Sequence, residues 1–213
     1  MLESLLQLLP PAVIAMRAAY QPGSGGYLID GTLHYDCVEV PVADLLYVLA
    51  INARAVNIIE TGTGGGFSTC HLAAAAKING GVVTTYDPSP VREPLWDTSL
   101  PINAVATTLV AAPCDFAFLD SWHSYNNLMR EVTSLLPLLK LGGLIVMHDT
   151  TFYGGLRDAV AEMHNWRGIE LVELTTHRIH APATRCPGLT ILKRTAPVRI
   201  RYNPRSDGND ETL

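Results

Sequence analysis

Hydrophobic positions along the 213-residue chain fall into short runs that alternate between helical and extended spacing. Val42, Leu45, Leu46 and Leu49 recur at helical intervals, and Ala55 to Glu60 (AVNIIE) is short, β-rich and ends at a glycine cluster. Phe67 to Ile78 is rich in helix formers and stops at Asn79-Gly80-Gly81, a helix C-terminal signal. Val82 to Tyr86 predicts a second strand, ending at Asp87, and Asp115 to Leu119 another, ending at Asp120. Leu128, Val132, Leu135, Leu136 and Leu139 give the next helix one apolar face, with Pro137 bending its end. Gly142-Gly143 then turns the chain into Leu144 to Met147, a fully apolar run that ends at His148-Asp149.

Runs apolar on both faces suit strands of a parallel sheet covered by helices on each side. The predicted fold class is α/β: a doubly wound, mostly parallel Rossmann-like sheet. A helix near Leu156 to His164 follows, and Ile169 to Thr175 with Leu189 to Lys193 predict a terminal antiparallel strand pair. From Asp87 to Asp115 only 28 positions hold a crossover, which predicts a single turn near Pro90 to Trp96 and a third strand at Ala104 to Leu109. Gln21 to Pro41, glycine-rich with Tyr27, His34 and Tyr35, reads as part of a lid or as an ordinary loop. With no repeat and no linker, one domain is expected: an N-terminal helical or lid segment at 1–54 packed on the core, the core at 55–202, and a mobile tail at 203–213.

Composition narrows the partners. At 48% hydrophobic and 16% charged the chain supports a buried core, so disorder as a whole is excluded. Fifteen Lys+Arg against 20 Asp+Glu, with no basic run, argue against nucleic-acid binding by phosphate neutralisation. Cys37, Cys70, Cys114 and Cys186 form no CxxC pair, so reduced cytoplasmic thiols are expected rather than a zinc knuckle or disulfide scaffold. Glu3 and Pro10-Pro11 disagree with a signal peptide, and no stretch approaches the roughly 18 apolar residues of a membrane span. The partner expected is a small molecule, with no membrane and no nucleic acid; a homo-oligomer is left open.

Ligands of open parallel sheets collect at the carboxyl ends of the strands, and the unusual residues of this chain fall there. Glu60-Thr61-Gly62-Thr63-Gly64-Gly65-Gly66-Phe67-Ser68 follows the first strand and opens a helix, and glycines there let backbone N–H groups approach a ligand. A P-loop needs a lysine beside Ser68, and the first lysine comes only at Lys77. The dinucleotide fingerprint counted from Gly62 and Gly64 needs its third glycine where Phe67 stands, which weakens a nicotinamide reading. Asp87, 21 residues beyond Gly66, can accept both hydrogen bonds of a ribose diol, and a turn without lysine suits a zwitterion better than a triphosphate. The plainer alternative is a sharp strand-to-helix turn flanked by solvated acids.

Glu60 before Gly62, Gly64 and Gly66, with Asp87 at the end of the next strand, resembles the motif set of class I S-adenosylmethionine-dependent methyltransferases. The resemblance implies that Glu60, Gly62, Gly64, Gly66 and Ser68 lie around the amino-acid end of the cofactor and Asp87 at its ribose, with Asp120 close by.

Asp120-Ser121-Trp122-His123 and His148-Asp149-Thr150 bring two acids and two histidines to adjacent strand ends. Two such acids suit a hard divalent cation, and His123 suits a general base near neutral pH. The segment from Asp115 to Asp149 is similar to the caffeoyl-CoA, rhamnosyl and macrolide-sugar O-methyltransferases. That likeness spans roughly Asn57 to Asp158 and implies Asp120 and Asp149 as ligands of Mg²⁺ or another divalent cation and His123 as base.

His148 adds a candidate metal ligand where sugar-modifying relatives carry a carboxylate, and Thr150 stands where catechol-type relatives carry Asn. An imidazole there weakens Mg²⁺ binding, favours another metal or leaves the site without one. Packing roles are the alternatives for His71, Trp122 and Tyr125, while His177 and His180 are weaker candidates for the acceptor pocket. The expected activity is O-methylation of a sugar or phenol. An NAD(P)-linked oxidoreductase and a non-catalytic cofactor-binding protein are the competing readings.

Overall fold

The computed structural model describes residues 2–21, 26–29, 31–34, 37–89, 99–174, 188–198, 200, 202 and 204–206. The chain opens with α1 (Leu2–Leu6), α2 (Pro11–Ala18) and three short strands, β1 (Tyr20–Gln21), β2 (Gly26–Ile29) and β3 (Thr32–His34). The first half of the core follows as α3 (Val40–Asn52), β4 (Asn57–Thr61), α4 (Phe67–Asn79), β5 (Val82–Tyr86) and β6 (Ile102–Val105). The second half is β7 (Cys114–Leu119), α5 (Tyr125–Leu135), β8 (Leu139–His148), α6 (Gly154–Met163), β9 (Ile169–Leu174) and β10 (Leu189–Arg194).

Among the described residues the main sheet has seven strands in the order β6-β5-β4-β7-β8-β10-β9. The first five run parallel, and β10 inserts antiparallel between β8 and β9. This is the doubly wound α/β sheet with a terminal antiparallel pair that the hydrophobic pattern predicts.

Alternation within each strand divides the core in two. Ile58, Phe116, Phe118 and Val146 pack with α2, α3 and α4 on one face, while Ile59, Ala117, Leu119, Ile145 and Met147 pack with α5 and α6 on the other. Helix α4 is buried at every residue from Phe67 to Ala76, because α3 and α2 cover the side that the sheet does not. A run of alanines allows that close approach, and Gly80 ends the helix in the left-handed conformation.

Several expectations are corrected. Helix α5 ends at Leu135, and Leu139 opens β8 instead of completing the helix face. Gly142-Gly143 lies within β8, where the pairing with β7 shifts register between Cys114 and Phe116. The reason is steric: a Cβ on Gly143 would stand 2.7 Å from the Asp115 carbonyl oxygen, so the strand passes its neighbour too closely for a side chain. The third strand is Ile102–Val105 instead of 104–109.

Between Gln21 and Pro41 the described residues form an antiparallel ribbon rather than a loop, with Tyr20 opposite Tyr27. Tyr27 is fully buried, its ring lies 5.8 Å from Phe67, and its hydroxyl donates to the Gly65 carbonyl at 2.5 Å. In the expected tail, Arg205 pairs with Asp158 at 2.6 Å and lies over the Tyr125 ring at 3.7 Å. The expected turn at 90–96, together with Tyr35, His177, His180 and Cys186, lies outside the described residues. No helix among the described residues is long and apolar enough to cross a membrane.

Gly81 marks another tight passage, since a Cβ there would stand 2.1 Å from the Val56 carbonyl oxygen. Gly81→Ala is expected to cost at least about 2 kcal/mol in chemical denaturation, because the opposing atoms are backbone. Gly142→Ala, with open space but φ of 80°, is expected to cost about 1 kcal/mol. Equal losses would contradict the close strand entry at Gly81.

Candidate active site

The parallel strands place their last residues on one edge of the sheet, so the turns after β4, β5, β7 and β8 meet in a crevice. Gly62, with φ of 80°, lies so near the Asp120 backbone that a Cβ would stand 2.0 Å from its carbonyl oxygen. The Asp120 N–H donates to the Thr61 carbonyl at 3.0 Å, and the Gly62 N–H to the Tyr86 carbonyl at 2.9 Å. The glycine turn is thereby tied to both neighbouring strand ends. Gly66, also left-handed, stands at the N-cap of α4.

Glu60 is tied to the first residues of α4. It is fully buried and accepts hydrogen bonds from Ser68 at 2.7 Å and Thr69 at 2.5 Å, so both Glu60 and Ser68 brace the start of α4. Burial lifts the Glu60 carboxyl to about 7, against the hydrogen bonds from Thr69 and Ser68. Asp87 does reach the turn: its Oδ2 accepts from the Gly64 N–H at 3.2 Å and its Oδ1 from the Ser89 N–H at 2.9 Å. A half-buried carboxylate beside a turn that carries no cationic side chain fits a neutral diol next to a zwitterion.

Across the crevice, Asp120, His123 and Asp149 converge. His123 Nε2 lies 3.5 Å from Asp120 Oδ1 and 3.2 Å from Asp149 Oδ2, yet it is buried and has no aligned hydrogen bond. One donor atom from each of the three lies within 4.8 Å of the others, a spacing that could hold a metal ion. Two carboxylates converging on one point suit the oxygen ligands of a divalent cation, with the His123 nitrogen beside it.

Burial works against a charge on His123, but its contacts with Asp120 and Asp149 lift the imidazole to about 9. Burial also works against the Asp120 carboxylate, and the two histidines hold it down at about 2. Asp149 has φ of 57°, a conformation that Asp tolerates better than most residues and one that changes the chain direction directly after β8. The His123 ring stacks on Tyr153 at 4.4 Å and 6°.

His148 is buried at the end of β8, with Nδ1 3.2 Å from Asp120 Oδ1 and Nε2 3.3 Å from Glu39 Oε2. Both ring nitrogens therefore face carboxylates, and the group with metal-ligand spacing contains His123 in place of the expected His148. Burial disfavours its charged form, but Asp120 and Asp149, with the hydrogen bonds to Asp120 and Glu39, raise the imidazole well above the usual range. Thr150 is buried and accepts from the Thr190 hydroxyl at 2.9 Å, so it faces β10. His71 is buried within α4, its Nδ1 2.7 Å from the Phe67 carbonyl oxygen one turn earlier. Tyr125 is buried with its hydroxyl on Glu162, whereas Trp122 is 65% exposed at the crevice rim.

Sequence reasoning passed over three supports of this crevice. Glu131, on the buried face of α5, accepts from Ser121 at 2.8 Å and Thr61 at 3.2 Å, so it holds the loop before His123 against β4. A lone acid on an apolar helix face was the available signal. Tyr153 and Glu39 carried none, because their partners are distant in sequence.

Residues 59–150 match the family model described as a methyltransferase domain. No curated protein matches the sequence. The fold is similar to that of the cofactor-bound Rv0187 from MTB, at 22% identity over 87% of this chain and 90% of that one, with a TM-score of 0.64. It is also similar to the O-methyltransferase TomG from Streptomyces achromogenes, involved in tomaymycin synthesis and in complex with SAM, at 18% identity, 88% and 91% coverage and a TM-score of 0.59. The O-methyltransferase from Bacillus cereus in complex with SAH gives 20% identity, 91% and 90% coverage and a TM-score of 0.60. The matched stretch holds the glycine turn and both strand-end acids, the same residues that carry the sequence resemblance.

Glu60 supplies a stability test. Between its ordinary 4.5 and about 7, the folded chain keeps a proton that the unfolded chain has released, so stability falls as pH rises through that interval and levels off above it. Glu60→Gln removes this contribution. Its stability relative to wild type is expected to improve by on the order of 3 kcal/mol from pH 4.5 to above 7 in denaturant titrations. Parallel profiles for the two proteins would show that Glu60 ionises normally.

Proposed function

We propose that the chain is an S-adenosylmethionine-dependent methyltransferase acting on an oxygen of a small hydroxylated acceptor, with a divalent cation at Asp120 and Asp149. The observation that carries this reading is the convergence of Asp120, His123 and Asp149 beside a crevice that Asp87 and the glycine turn line from the other side. The similar structures solved with SAM or SAH support the same cofactor.

S-adenosylmethionine would supply the methyl group as a sulfonium, its sulfur leaving as a neutral thioether. The turn at Gly62 to Gly66 would receive its amino-acid end through backbone groups, and the Asp87 carboxylate would accept from the ribose hydroxyls. A divalent cation on Asp120 and Asp149 would lower the pKa of a bound acceptor hydroxyl and take over the counter-charge that His123 provides.

His123 then has the base's part: its Nε2 takes the hydroxyl proton as the acceptor oxygen forms its bond to the methyl carbon. The stack on Tyr153 fixes the plane of the imidazole. Leu128 and Leu156 add apolar surface to the pocket that Asp120, His123 and His148 line.

Calorimetry with S-adenosylhomocysteine and NAD separates the readings: the former is expected to bind and the latter not, and a preference for NAD would overturn the cofactor. Asp87→Ala is expected to weaken S-adenosylhomocysteine about tenfold or more, as the loss of charge-assisted hydrogen bonds implies. In methyl-transfer assays on phenols and sugars, His123→Ala is expected to lower kcat by about 100-fold or more while leaving S-adenosylhomocysteine binding unchanged. EDTA is expected to abolish turnover and Mg²⁺ or Mn²⁺ to restore it; turnover indifferent to EDTA would remove the cation.

A further inference from the structure

Glu39 stands at the N-cap position of α3, immediately after the N-terminal ribbon, yet its side chain makes no capping hydrogen bond there. Its carboxylate instead reaches His148, 109 residues further along the chain, with Oε2 3.3 Å from Nε2. On the other side of the ring, Nδ1 lies 3.2 Å from Asp120 Oδ1 and 3.6 Å from Asp149 Oδ1. The His148 side chain is 3% exposed and that of Glu39 15%, so these contacts form largely out of water.

We infer that Glu39 and His148 are a positioning pair: Glu39 fixes the His148 ring, and the ring fixes the Asp120 carboxylate toward the point it shares with His123 and Asp149. The inference rests on the cation reading of that point.

The argument is geometric. Asp120 follows the last residue of β7, and its backbone is pinned by the Thr61 carbonyl, but its carboxylate can still rotate about its own bond. A donor on Oδ1 stops that rotation and leaves the carboxylate one preferred direction. A histidine can do this only if its own ring is held, and an acceptor on the far nitrogen is the usual means. Glu39 is that acceptor. With Glu39 at one ring nitrogen and Asp120 at the other, His148 meets the shared point through Asp120. The orientation of one candidate ligand thus depends on a residue of the N-terminal segment, outside the matched domain at 59–150.

The test uses the full chain and Mn²⁺ alone, followed by the electron paramagnetic resonance signal of the aqueous ion, with thermal melting and S-adenosylhomocysteine calorimetry alongside. Glu39→Ala is expected to raise the Kd for Mn²⁺ about tenfold or more, as loss of an outer-shell partner does, with S-adenosylhomocysteine affinity within about twofold of wild type. Glu39→Gln, which keeps an oxygen in reach of the ring, is expected to recover to within about threefold. If Glu39→Ala fails to melt cooperatively, Glu39→Asp, one methylene too short to reach, is expected to show the same loss.

Mn²⁺ binding to a folded Glu39→Ala or Glu39→Asp variant within about twofold of wild type would overturn the pair and leave the cation reading standing. No recovery in Glu39→Gln, or parallel loss of both ligands and of melting temperature, would reduce Glu39 to a structural role and overturn the pair as well. Absence of Mn²⁺ binding by the wild-type chain would overturn cation and pair together. Absence of S-adenosylhomocysteine binding alone would strike only the cofactor reading, with the Mn²⁺ series still deciding the pair.

Discussion

Three carboxylates and two imidazoles share one small volume at the ends of β7 and β8, and their mutual neutralisation is the condition on which the crevice stands. Glu39, Asp120 and Asp149 would repel one another if left alone, and burial would sharpen that repulsion. His148 lies between Glu39 and Asp120, and His123 between Asp120 and Asp149, so each acid has a cationic neighbour. The arrangement is stable as a set and costly to break singly. Removing one imidazole leaves two acids facing each other.

The scaffold that brings these groups together is built by close backbone passages. Gly62 lets the turn after β4 touch the start of the loop after β7, and Gly143 lets β8 slide past Asp115. Each passage shortens the distance between neighbouring strand ends without a side chain to absorb it. Glu131 and the Ser124 cap of α5 then hold the loop of Asp120 to His123 from below, which gives His123 a defined ring position on Tyr153.

Much of this was legible in the sequence because strands buried on both faces write themselves as continuous apolar runs: Phe116 to Leu119 and Ile145 to Met147 could be little else. The polar residue that closes each run marks the crevice by its position along the chain. Other features were hidden for physical reasons. Leu139 fits the helix face by spacing, and only the tertiary pairing with Cys114 draws it into β8. The N-terminal ribbon has strands of two to four residues, too short for alternation to show. Glu60 and Ser68 sit where a cofactor-binding motif would place them, but the hydrogen bond between them depends on side-chain direction, which spacing does not encode. Glu39 was invisible for the same reason as most long-range pairs: nothing local distinguishes it from an ordinary helix-start acid.

The place of β10 has a further consequence for how the molecule is made. Until Leu189–Arg194 leaves the ribosome, β8 presents an unpaired edge, because its outer neighbour in the finished sheet is β10, which follows β9 in the chain. The strand that carries His148 is therefore completed late, after the nascent chain already holds the glycine turn and its helix. Vectorial synthesis would deliver the parallel half-sheet first, and a release factor acting before β10 emerges would leave an aggregation-prone edge beside the strand that carries His148.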